Sequence, residues 1–148
     1  MGMRQPAPCR IVELYTVLDC KRNIGCDSID ALTTRMLRAQ RTVEHQFRNL
    51  TKKHPEDEDF QISPTIVGPT AIIENERHDR MQVGVAGSLW LLMYLEPVSL
   101  VCRETDEAGL YVFYLPEWTE FEPRELNPIE SATAILTDWL HDGTRCSD

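Results

Sequence analysis

Apolar positions along the chain change period as it proceeds, and the changes divide it into helical and extended stretches. Over residues 10–21, RIVELYTVLDCK places Ile11, Leu14, Tyr15 and Leu18 at i, i+3, i+4 and i+7, the spacing of one helix face. The β-branched residues Ile11, Val12, Thr16 and Val17 pull toward strand. The spacing is given more weight, and a helix is expected over about 10–21. Residues 28–53 carry the clearest stripe: Ile29, Leu32, Met36, Ala39, Val43 and Leu50 recur at steps of three and four. Gln46 takes the one stripe position that is not apolar, with Phe47 beside it. No Gly or Pro interrupts the run, which predicts a helix of about 39 Å. Asp27 is its expected N-cap with Asp30 three residues on, and Pro55 and the acidic run at 56–59 close it.

After an expected loop over 54–69 the period falls to two. TAIIENE at 70–76 and MQVGVAG at 81–87 predict a hairpin around RHDR at 77–80. SLWLLMYL at 88–95 is apolar on both faces and fits either a central strand or a buried helical turn. VSLVCRE at 98–104 and LYVFYLP at 110–116 flank the short TDEAG and predict a second hairpin. The last element opens with NPIE at 127–130: Asn127 caps, Pro128 takes the first helical position, and Glu130 reaches back. Ile129, Ala132, Ile135, Leu136, Trp139 and Leu140 form its inner face, and Gly143 ends it.

The expected fold is therefore α+β. Two N-terminal helices (about 10–21 and 28–53) precede a mostly antiparallel sheet of three to five strands (about 70–116) and a C-terminal helix (about 128–142), with the helices on one face of the sheet. At 148 residues the chain, 1–148, is read as a single domain. In DCKRNIGCDSID at 19–30, Gly25 would end the first helix and Asp27 start the second. Cys20 would pack as a small apolar residue. Cys26, at a helix N-terminus near basic residues, would have a lowered thiol pKa.

Composition changes this picture little. Hydrophobic residues make up 42% and charged residues 26%, an ordinary globular balance. Five cysteines at irregular spacing do not resemble a secreted disulfide framework. MGMRQPAPCR lacks the apolar core of a signal peptide, and the longest apolar run, 83–95, is too short to span a bilayer. The expectation is a soluble cytoplasmic protein with no membrane partner.

Charge changes it more. Residues 1–54 hold 10 Lys/Arg against 5 Asp/Glu, whereas residues 55–148 hold 5 against 19. Arg35, Arg38, Arg41, Arg48, Lys52 and Lys53 all lie on the long helix, off its apolar stripe. Solvated charge is the common case, but arginine forks also suit carboxylates and phosphates. In the acidic part, YLPEWTEFEPREL at 114–126 sets Trp118 and Phe121 among Glu117, Glu120, Glu122 and Glu125. Such a segment serves either as a surface for a basic partner or as a connection whose aromatics cover the core edge.

Motifs for catalysis are lacking. There is no GxSxG, HExxH or phosphate-binding loop, and His78–Asp79 reads as a polar turn. Arg38 and His45 stand about 10 Å apart along one helix and would need a second chain to complete a hydrolase or nuclease site. No cofactor, metal or catalytic residue is assigned, since Cys20 and Cys26 form one loose pair with no second pair. The expected function is that of a small non-catalytic protein-binding or regulatory module: an adaptor, an inhibitor or immunity protein, a chaperone-like protein or an assembly component. It would act through Arg35, Arg38, Arg41, Arg48 and Lys52 and through Trp118, Glu120, Phe121 and Glu122, with a protein partner or by self-association. Nucleic-acid binding by the arginine-rich helix is the first alternative, and the Arg38/His45 enzyme the second.

Overall fold

A computed structural model describes residues 8–17, 19–53, 65–103, 105 and 107–145. Residues 54–64 of the loop expected over 54–69, with His54 and the acidic run at 56–59, and also Leu18 and Cys146, lie outside the described residues; residues 65–69 of that expected loop are instead strand, paired with residues 110–114. The chain is α+β, with nine strands and two α-helices among the described residues. In order these are β1 (Cys9–Thr16), β2 (Asp19–Cys26), α1 (Ile29–Lys53), β3 (Thr65–Glu74), β4 (Arg80–Ala86), β5 (Leu89–Leu95), β6 (Val98–Val101), β7 (Leu110–Tyr114), β8 (Trp118–Phe121), β9 (Asn127–Pro128) and α2 (Ile129–Asp142). The sheet is thus larger than the three to five strands expected.

The helix expected over 10–21 is instead the hairpin β1–β2, in which Ile11 pairs with Ile24 and Leu14 with Lys21. Its misleading spacing has a structural cause. Against β3 the register slips between Ile11 and Glu13, a bulge at Val12. One extra residue in a strand moves the following side chains to the other face. Cys9, Ile11 and Leu14 are accordingly all buried, two and then three residues apart. Ile11–Leu14 then has the i, i+3 signature of a helix while the backbone is extended. Gly25 ends no helix; it sits in β2 opposite Arg10.

Six strands form an antiparallel path in the order β2-β1-β3-β4-β5-β6. The turn at 75–79 joins β3 to β4, the hairpin expected around 77–80, and of residues 88–95 all but the first form a strand, β5, paired with both β4 and β6. The second expected hairpin does not form. β6 pairs with β5, whereas β7 runs parallel to the first half of β3 and pairs on its other side with β8. Alternation identifies each strand as a strand but carries no information about its neighbour. The first half of β3 crosses so close over β4 that a Cβ at Gly68 would lie 1.8 Å from the Val85 carbonyl oxygen. That crossing carries β7 onto the second face of the sheet, where Phe113 lies against Gly84.

Both helices cover the first face. Leu32, Met36 and Ala39 of α1 and Ala132, Ile135, Leu136, Trp139 and Leu140 of α2 share one core cluster with Ile11, Ile73, Met81, Val83, Val85 and Leu92. The helix starts differ from expectation. Ser28, not Asp27, caps α1, its Oγ accepting the Ala31 N–H at 3.2 Å. Asn127 does not cap α2: its buried amide donates to the Val101 and Trp90 carbonyls at 2.7 and 3.3 Å, tying β9 into the sheet. Gly143 ends α2 at φ 75°, with its N–H on the Trp139 carbonyl.

A candidate anion-binding cleft

The apolar stripe of α1 sets the rotation of the helix on the sheet, and with it the direction of every charged side chain. With Leu32, Met36, Ala39 and Val43 buried, a turn of 100° per residue puts Arg35, Arg38, Thr42 and Gln46 on the flank facing the β1–β2 hairpin. Arg41, Arg48 and Lys52 project from the opposite, exposed side. The sheet thus sorts the basic residues into two groups that the sequence presents as one row.

Between that flank and the hairpin lies a cleft of about 420 Å³. Arg35, Arg38, Thr42 and Gln46 line it from α1, and Thr16, Asp19 and Lys21 from the hairpin, with Leu14 and Ala39 also in the lining. The Val12 bulge matters here, because β1 presents Leu14 and Thr16 to the helix only beyond it. Gln46 closes one end: its Oε1 accepts the Val17 N–H from the hairpin tip at 2.9 Å. This explains the polar residue in an otherwise apolar stripe. The Thr42 hydroxyl donates to the Arg38 carbonyl and the Thr16 hydroxyl to the Asp19 carbonyl. Among the described residues, the donors that line the cleft besides these hydroxyls are two guanidiniums, one ammonium and the Gln46 amide nitrogen. Among the described residues no ion pair holds Lys21, Arg35 or Arg38. Three cations face one carboxylate, an arrangement that favours an anion.

The acidic aromatic segment is arranged differently. Trp118 is half-buried, edge-on to Phe47 of α1 at 5.5 Å and to Tyr114 at 5.2 Å. Phe121 packs edge-on to Phe113 at 5.6 Å. Both rings cover core, while Glu120 and Glu122 are exposed, with Glu122 paired to Arg124. The Phe47–Trp118 contact brings this segment beside the C-terminal half of the basic helix. His45 is exposed, with Nε2 3.3 Å from Asn49 Nδ2, and does not line the cleft that contains Arg38.

Cys26 does not have the lowered pKa expected of it. It is buried opposite Cys9, and burial raises its pKa although Arg35 pulls the other way; burial pushes Cys9 up to about 12. Cys20 lies on β2 only partly buried, its Sγ 3.9 Å from Glu13 Oε2. Elsewhere, Glu74 accepts from Arg10 at 3.0 Å and Arg80 at 3.1 Å, with His78 Nδ1 at 3.6 Å. These partners hold its carboxyl near 2. The network joins β1, β3, the β3–β4 turn and the start of β4.

Among the described residues no group of three or more His, Cys, Asp and Glu is gathered as a metal site, and no helix is long and apolar enough to cross a membrane. No protein-family model matches the chain, and neither the curated proteins nor the solved structures contain a match to it.

Proposed function

We propose that this protein is a non-catalytic binding module that recognises an acidic segment of a partner protein through the basic flank of α1. The observation that carries this reading is the convergence of Lys21, Arg35 and Arg38, from two separate elements, on one cleft. Cations spread over a surface are ordinary solvated charge. Cations from different elements around one concavity combine their fields where water is partly excluded. Arg41, Arg48 and Lys52 would steer an acidic partner toward the cleft, and such steering weakens with salt.

The test is a titration with a peptide rich in Asp and Glu at low and moderate salt. Saturable, salt-sensitive binding is expected, and Arg35→Glu with Arg38→Glu should abolish it while the circular dichroism spectrum stays unchanged. Binding that survives the double reversal would remove the cleft from the proposal. Binding to a single-stranded oligonucleotide but not to the peptide would replace protein with nucleic acid as the partner.

A further inference from the structure

The cleft differs from the exposed arginine row in shape and in charge, and that difference bears on what it binds. Building on the reading of α1 as an anion-recognition face, we infer that the cleft is a site for a phosphoryl group, carried on a phosphorylated serine or threonine of the partner. Lys21, Arg35 and Arg38 outnumber Asp19 by two charges. One side-chain carboxylate would leave a cation of the cleft uncompensated, whereas a phosphomonoester carries close to two negative charges at neutral pH. It also has three terminal oxygens, which allows donors from separate elements to be satisfied at once. The guanidiniums approach from α1 and the ammonium from β2, so a compact acceptor with several oxygens meets both walls. The volume of about 420 Å³ exceeds that of a phosphoryl group. The apolar side chains of Leu14 and Ala39 are available for the carbon skeleton of the residue that bears it. The Gln46 amide nitrogen supplies a further neutral donor at the end closed by the hairpin tip.

This assignment has a pH signature. The second ionisation of a phosphomonoester lies near 6, so the ligand loses a charge between about pH 7.5 and about pH 5.5, a window in which Asp and Glu peptides keep theirs. The charged groups facing the cleft are Asp19 and Lys21 from β2 and Arg35 and Arg38 from α1, and no histidine lines it. The probes are three hexapeptides identical but for one central residue: phosphoserine, serine or glutamate. Binding is measured by calorimetry and by the arginine Nε–H signals of labelled protein.

The phosphoserine peptide should bind at least about tenfold more tightly than the glutamate peptide, a difference on the scale of one added charge-assisted hydrogen bond. It should weaken on acidification and shift the signals of Arg35 and Arg38 but not those of Arg41 and Arg48. Lys21→Gln and Arg35→Gln should each erase the preference. Equal affinity for the phosphoserine and glutamate peptides would overturn the phosphoryl assignment and leave the acidic-partner reading standing. If neither these peptides nor the Asp/Glu-rich peptide binds, both fail. Uniform, unsaturable shifts at all four arginines would show diffuse ion association and overturn the assignment as well.

Discussion

Gln46 offers the sharpest separation of what holds the cleft together from what the cleft recognises. Replacing it with leucine continues the apolar stripe and removes the acceptor of the Val17 N–H. That bond is 2.9 Å long and neutral on both sides, so its loss costs about 1 kcal/mol. Val17 is only partly buried, so water reaches the freed N–H and the cost does not rise further. Gln46 is itself half-buried, and half-burying a leucine in its place returns about 1 kcal/mol. The two terms cancel globally but not locally. Thermal unfolding of Gln46→Leu should therefore stay within a few degrees of the parent. The Val17 amide should exchange with solvent about fivefold faster, because the hairpin tip opens without the rest of the fold. Amide exchange followed by NMR reads this directly. Gln46→Glu is the complementary variant: it keeps the acceptor and adds a carboxylate beside Lys21, Arg35 and Arg38. Val17 should stay protected while affinity for an acidic peptide falls about tenfold. Unchanged Val17 exchange in Gln46→Leu would refute the latch. Undiminished affinity in Gln46→Glu would refute the electrostatic account of the cleft.

Other consequences are as direct. The carboxyl of Glu74 is held near 2 in the folded chain, against about 4.5 for the free group. Its contribution to stability is fully present above about pH 4.5 and is lost as pH falls toward 2. Glu74→Gln should flatten the melting temperature across that window, and a slope identical to the parent's would contradict the network. Alkylation at neutral pH should reach Cys20 before Cys9 or Cys26, whose thiols burial keeps protonated; peptide mapping that finds Cys26 labelled first would reverse the order. Gly68→Ala forces a Cβ into the Val85 carbonyl. It should cost about 3 kcal/mol, the upper end for overpacking, and lower the melting temperature by roughly 6–12 °C. A near-parent melting temperature would mean that β3 does not cross β4 so closely.

Where a regular element carries one uninterrupted apolar period, its pattern was legible in the amino-acid order. The stripe from Ile29 to Leu50 marks α1, Ala132 to Leu140 marks α2, and the alternation of Met81, Val83 and Val85 marks β4. Such patterns arise because a helix repeats every 3.6 residues and a strand every two, whatever lies opposite. The long basic helix was legible for the same reason, as was the odd polar place of Gln46. What escaped depends on residues far away in the chain. The bulge at Val12 exists only against β3, and it gave an extended segment the spacing of a helix. One of the two partners of β7 is the first half of β3, over forty residues earlier, although the loop before β7 looks like a hairpin turn. Asn127 turned from a cap into a buried tie because β9 joined β5 beside the Val101 carbonyl. The cleft belongs with these. Arg35 and Arg38 could be named from the sequence, but Lys21 could not be joined to them while residues 10–21 were read as a helix. Only the docking of α1 on the sheet separates the arginines that meet the hairpin from those that face water.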